Sequence, residues 1–218
     1  MVYARTVKDQ TVTLCVSGQL WNSSLVMMDV ETKSLWSHIL GECMQGDLKG
    51  AVLKALPCDM VTWKAWREAH PKTTVLNLSR TSKNYAKEFY RDPQRFALGF
   101  LANGEPQHCT FAVLQKQPLL NLKFGKDLLL LTYDPESTSA QLFARHLDGR
   151  ELTFTATETG KLRDEATGSL WDRTTGTAVE GPLKGKQLET RVGIVSYTKV
   201  WQTFHPESKA VTGAANPR

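Results

Sequence analysis

Asp29–Trp36 reads DVETKSLW, and Asp164–Trp171 reads DEATGSLW. The two octapeptides keep Asp, Thr, Ser, Leu and Trp at the same spacing. They stand 135 residues apart, and at that offset the likeness runs on past the tryptophans. Gly41 falls on Gly176, Gly46 on Gly181, Leu48-Lys49-Gly50 on Leu183-Lys184-Gly185, Leu53 on Leu188, Trp66 on Trp201, and His70-Pro71 on His205-Pro206. An ordered series of Trp and Gly of this kind marks a duplicated structural unit, and such a repeat decides the architecture before any local propensity does.

Upstream, after an indel, YARTVKDQTVTL (Tyr3–Leu14) aligns with FARHLDGRELTF (Phe143–Phe154). Each copy is therefore expected to open with a hairpin. Asp148-Gly149 suits a two-residue turn with both central residues at positive φ, and Asp9-Gln10 is read as filling that place in the first copy. Leu142, Ala144 and His146 alternate with their neighbours as a half-buried strand does. The segments that follow are short apolar runs punctuated by Gly, which favours strands and tight turns over long helices.

A short helix is predicted to end each copy. Asp59 caps Met60–His70, which puts Met60, Trp63, Trp66 and His70 on one face; Pro71 closes it. In the second copy Ser196 is the expected cap, with Tyr197, Val200, Trp201 and Phe204 as the apolar face and Pro206 as the stop. Between the copies, Ser79–Phe96 is polar, basic and aromatic and reads as a connecting loop with a little helix. His108–Ser137 offers apolar segments separated by Pro118 and Gly125-Lys126, then the turn-like DPES of Asp134–Ser137. The tail from Glu207 has no apolar periodicity.

The expected fold is mainly β with a few short helices, as two homologous hairpin-rich units packed into one pseudo-symmetric body. The units span 1–78 and 106–206, with a connecting segment at 79–105 and a flexible tail at 207–218. Apolar strands at about 109–141 precede the second copy, and the first has no counterpart to them. The first unit is thus expected to be incomplete at its amino end and to leave a sheet edge unpaired.

Composition narrows the function. A chain of 218 residues buries roughly 70% of its unfolded surface and needs no disulfide staple. The net charge of +5 comes from 27 basic and 22 acidic residues, with no stripe of Lys and Arg between aromatics, which argues against nucleic-acid binding. The apolar run Leu128–Leu131 falls far short of the ~20 residues of a membrane span and reads as a buried strand. The amino terminus lacks the apolar core of a secretory signal, so the chain is read as cytoplasmic. Cys15, Cys43, Cys58 and Cys109 show no C-x-x-C spacing, which points to reduced thiols rather than a zinc ribbon or a redox motif.

Four stretches carry a family resemblance: VSGQLWNSSLVMMDVETKSLW (Val16–Trp36), GDLKGAVLKALPCDMVTWKAWREAHP (Gly46–Pro71), YDPESTSAQLFARHLDGRELTF (Tyr133–Phe154) and ATGSLWDRTTGTAVEGPLKG (Ala166–Gly185). Through them the chain resembles the domain-of-unknown-function family DUF3179 from Tyr3 to Pro206. In that family a longer amino-terminal part, with an ILNWHE-like stretch and a Cys-Pro-Leu-Cys motif, precedes the first hairpin. Neither motif occurs here, and Cys15 stands where the family has Gly. The resemblance implies export if the true start lies upstream with a signal peptide. It implies no particular activity.

Four residue types recur in both copies and are candidates for binding: Asp29 and Asp164, Ser34 and Ser169, Trp36 and Trp171, His70 and His205. An indole flanked by hydroxyl and carboxylate groups stacks on a planar ligand while the polar atoms orient it. The same residues also suit equivalent core positions and self-bonded turns. The histidines before proline suit a general base or ligand, or equally a helix carboxy terminus. His108-Cys109, and His38 with Cys43, match no standard metal spacing, and neither a nucleophile elbow nor a phosphate-binding glycine loop is present. No cofactor is called for. The expected function is a non-catalytic ligand- or partner-binding β module with its site between the units. The rival is a metal- or thiol-dependent enzyme whose Cys-Pro-x-Cys motif lies upstream.

Overall fold

A computed structural model of the chain describes residues 1–58, 60–75 and 92–213. The expected cap Asp59, most of the connecting loop and the end of the tail lie outside the described residues. The chain is mainly β, and its two copies fold alike. Strands Leu14–Trp21, Ser24–Asp29, Leu35–Ser37 and Cys43–Gln45 form an antiparallel meander, as do Phe154–Ala156, Leu162–Asp164, Leu170–Trp171 and Ala178–Glu180. Trp36 pairs with Cys43 and Trp171 with Ala178, each beside a register shift at the preceding leucine.

A two-residue hairpin opens each copy: Thr6–Val7 with Gln10–Thr11, and His146–Leu147 with Arg150–Glu151. The second turns at Asp148-Gly149, as expected. In the first, the turn residues are Lys8 and Asp9, at φ 46° and 65°, because Gln10 is already paired with Val7. The turn expected at Asp9-Gln10 is thus displaced by one residue.

Ahead of the second copy lies a module the first copy does not have among the described residues. Leu119–Phe124, Asp127–Asp134 and Ser139–Ala144 form a three-stranded antiparallel sheet. Phe96–Ala102 and Glu105–Thr110 form a hairpin flanked by Gly193–Tyr197 on one side and Lys209–Ala210 on the other. Phe96–Ala102 falls in the stretch read as connecting segment, yet it is a central strand buried at nearly every position.

Helix α1 spans Trp63–Ala69, α2 Phe111–Lys116 and α3 Thr198–Phe204. Thr62 caps α1, its hydroxyl accepting from the Ala65 N–H, so the helix starts later than Met60. Ser196 does not cap α3, because it is held in a strand opposite Ala97; Tyr197 takes the position without a side-chain bond.

Three buried clusters follow from this layout. One gathers Val7, Val12, Trp36, Cys43, Leu48, Ala51 and Leu53 inside the first unit. Its twin gathers Phe143, Leu152, Phe154, Leu162, Trp171, Ala178 and Leu188, with Leu130 reaching in from the three-stranded sheet. The third lies within the module, where Phe96, Leu98, Phe100, Phe111, Leu114, Leu131 and Tyr133 pack together. Burial of such side chains is worth ~1.5–3 kcal/mol each. Among the described residues, the first unit has no equivalent of Leu130 in its core.

Candidate functional site

The recurrent Asp, Ser and Trp residues form one small network, built twice. Asp29, Ser34, Trp36, Asp164, Ser169 and Trp171 are all fully buried. Trp36 Nε1 donates to Asp29 Oδ2 at 2.9 Å, and Trp171 Nε1 to Asp164 Oδ2 at 2.8 Å. The Thr32 and Thr167 N–H groups each donate to Oδ1 of their aspartate at 2.6 Å, closing an Asx turn. Their hydroxyls meet Ser34 Oγ at 2.6 Å and Ser169 Oγ at 2.7 Å. Each serine oxygen also accepts from the chain fourteen residues on, the N–H of Leu48 or Leu183.

Burial alone works against the Asp29 charge, but hydrogen bonds from Trp36, Thr32 and Ser34 outweigh it and hold the carboxyl below the usual range. Gly46 and Gly181 pass so close that a Cβ on either would lie 2.7 Å from the Cα of Ser34 or Ser169. With Thr32 and Thr167, these side chains spend their polar atoms on one another and on nearby backbone, and tie the sheet to the following loop.

A second twin constellation sits at the helix ends. His70 and His205 cap α1 and α3 through their backbone N–H groups, which donate to Trp66 O and Trp201 O. Each imidazole lies 4.1 Å, centroid to centroid, from the indole four residues before it. Trp66 Nε1 donates to Thr73 Oγ1 at 2.9 Å, and Trp201 Nε1 to Ser208 Oγ at 2.8 Å. The environments then diverge. Trp201 is 1% exposed, its ring lying flat against Gly99, where a Cβ would come within 2.2 Å of it. Helix α1 buries none of its residues, and Trp63 is 51% exposed. In the second unit Ser208 Oγ also meets His108 Nδ1 at 2.9 Å.

Between the two units lies a cleft of about 610 Å³. Tyr3, Ile39, Val52 and Leu56 line it from the first unit, Ile194 and Trp201 from the second, and Phe100 and Leu101 from the hairpin packed with the second. Lys54, Glu189, Arg191 and His205 supply its polar groups. Val52 and Leu101 stand 64% and 61% exposed, large apolar side chains left facing the opening. The Tyr3 hydroxyl is already committed, donating to the carbonyls of His38 and Ile39, and burial, with Cys58 nearby, pushes its pKa up to about 12. Burial lowers the pKa of His205, opposed by Glu207 with its Oε1 3.9 Å from Nδ1.

Of the eight residues singled out in the sequence, His205 alone lines this cleft. Leu53 and Trp201, which also line it, belong to the repeat; of the others, Gly99, inside the apolar run FALGFLA, is the sequence signal that marks a close approach there. Among the described residues no group of three His, Cys, Asp or Glu side chains is arranged to hold a metal ion. The four cysteines are free; burial raises the thiol pKa of Cys43, and that of Cys109 to about 12, which keeps both as neutral thiols. No described helix is long and apolar enough to cross a membrane.

Comparison with known proteins follows the duplication. A family model described as a protein of unknown function, DUF3179, matches residues 1–97 and again residues 91–208. No curated protein and no solved structure matches the chain.

Proposed function

We propose that this chain, which belongs to the DUF3179 family of proteins of unknown function, is a non-catalytic binding module whose ligand sits in the cleft between its two units. The observation that carries this reading is the cleft itself: apolar walls drawn from both copies, with Val52 and Leu101 left facing solvent across it. Ligand sites favour concave, mainly apolar surfaces at such junctions, with a few polar groups to fix orientation. Lys54 and His205 stand in that role here, beside the ion pair of Arg191 with Glu189, so the ligand has an apolar body and a polar or anionic end. The buried Asp–Ser–Trp networks serve the site indirectly, by holding each sheet and its loops rigid enough to present the walls.

The test is a fluorescence titration with 8-anilinonaphthalene-1-sulfonate, an apolar anion of suitable size. One saturable site is expected, abolished by Leu101→Trp and by Val52→Trp, which fill the cleft from exposed positions. Binding that neither substitution changes would refute the assignment.

A further inference from the structure

Two walls of the cleft are the same piece of the repeat. Residues 54–57 border it from the first unit and residues 189–192 from the second, and the two segments stand 135 residues apart, the offset of the duplication. Each is held on one side by the opening strand of its own copy, in the same register. Tyr3 faces Ala55 and Phe143 faces Thr190. The Ala4 N–H donates to Lys54 O at 2.9 Å, and the Ala144 N–H to Glu189 O at 2.8 Å.

Backbone groups along such a segment alternate between its two sides. The Arg191 N–H donates to Leu142 O, on the side of its own copy. The N–H and C=O groups of Thr190 and Val192 therefore point the other way, and no hydrogen bond to either residue's backbone occurs among the described residues. Both residues are half-buried and both line the cleft. The segment runs on into Gly193–Tyr197, an edge strand whose outer side is unpaired among the described residues. This edge belongs to the second unit, where the flanking hairpin and helix α3 are both in place.

Half-buried backbone groups need partners. A hydrocarbon chain or ring offers none. An extended polypeptide presents an N–H and a C=O at every second residue, about 6.6–6.8 Å apart, which is the spacing of Thr190 and Val192 along an extended edge. Charge narrows the choice further. Glu189 and Arg191 pair with each other at 3.2 Å, whereas Lys54 on the twin segment has no ion-pair partner among the described residues.

We infer that the ligand of the cleft is an extended polypeptide segment, added as a strand along Thr190 and Val192. Its alternate apolar side chains lie against Val52 and Leu101, and an acidic residue meets Lys54. The inference rests on the cleft being a ligand site and names the class of ligand.

The probe is the synthetic peptide Thr-Val-Thr-Val-Thr-Val-Glu with acetyl and amide ends, titrated into the full chain carrying 8-anilinonaphthalene-1-sulfonate. Saturable displacement of the dye is expected, with new protection from hydrogen exchange within residues 189–197. Methylating the nitrogens of one alternate set of peptide amides should weaken binding at least about tenfold, as loss of two backbone hydrogen bonds does, while methylating the other set should change it less than about twofold. Lys54→Gln should weaken the probe about two- to fivefold and leave its glutamine-ended analogue unchanged. Equal binding of the two methylated peptides overturns strand addition. Failure to displace a dye that still fills one saturable site overturns the peptide and leaves the cleft as a ligand site; a dye that finds no saturable site refutes both readings. A concentration-dependent dimer of the chain alone that protects the same segment also overturns the inference, by giving the edge to a second copy.

Discussion

Gly99→Ala tests the packing on which the cleft depends. The new Cβ would lie 2.2, 2.3 and 2.5 Å from Cδ2, Cε3 and Cε2 of Trp201, well inside ordinary contact distance. The indole cannot swing aside cheaply, since it is 1% exposed and its Nε1 is tied to Ser208. Gly99 is not among the residues at positive φ, so the substitution carries no backbone strain. It gains instead ~0.4–1 kcal/mol from a less flexible unfolded chain. Overpacking costs ~1–3 kcal/mol, and a clash with a ring wedged on a central strand belongs at the upper end. The net expectation is a loss of about 2 kcal/mol, or a fall of roughly 4–8 °C in Tm for a chain of this size.

A double-mutant cycle isolates the clash. Trp201→Ala alone should cost ~3–5 kcal/mol, and in that background Gly99→Ala should lose its penalty, giving a coupling of ~1–3 kcal/mol. Chemical denaturation of the four proteins reads all these terms. A neutral or stabilising Gly99→Ala, or costs that add within ~0.5 kcal/mol, would refute the placement of Trp201 on the strand.

The remaining expectations concern the twin networks and pH. Trp36→Ala and Trp171→Ala should each destabilise by ~3–5 kcal/mol, and an unchanged melting curve in either would remove that indole from the core. Trp171→Phe keeps a ring but strips the donor from Asp164 Oδ2, and should cost ~1–3 kcal/mol; calorimetry would show a smaller loss than for alanine. Burial lowers the pKa of His38, His108 and His205, so the unfolded chain takes up protons first as pH falls. Stability should be full above the ordinary histidine value of ~6.5 and decline as pH drops through it toward the lowered folded values. A denaturation midpoint that stays level or rises between pH 7.5 and 5.5 would contradict this. Asp29 acts lower still: its depressed carboxyl stabilises the fold above ~3.9 and loses that contribution as pH falls through the folded value, so Asp29→Asn should flatten the acid limb of the profile.

The repeat was legible because the residues that carry it do the same work twice. Asp29 and Trp36 reproduce the bond of Asp164 and Trp171 to within the spread of two neighbouring distances, 2.9 and 2.8 Å, and no local propensity was needed to see it. Helix starts were read less well, because capping competes with tertiary pairing. Ser196 is a fair cap in isolation, yet strand pairing with Ala97 takes it. The first hairpin turn slipped by one residue since the pairing Thr6 with Thr11 fixes it, and the sequence there holds no glycine to mark the spot. Phe96–Ala102 escaped notice for a different reason: a strand covered on both faces shows no alternation, and a polar, basic stretch precedes it. Apart from Gly99 and the repeat residues Leu53, Trp201 and His205, the cleft had no signature, being assembled from single apolar residues such as Val52, Leu101 and Ile194 that lie far apart in the chain.

The measurement that tests the binding reading most directly is native mass spectrometry of the protein taken from its source cell without denaturation. The account predicts the polypeptide mass plus one bound species in simple stoichiometry, lost from the equally stable Leu101→Trp protein. The bare polypeptide mass in the wild type, or the same species retained after Leu101→Trp, would contradict it.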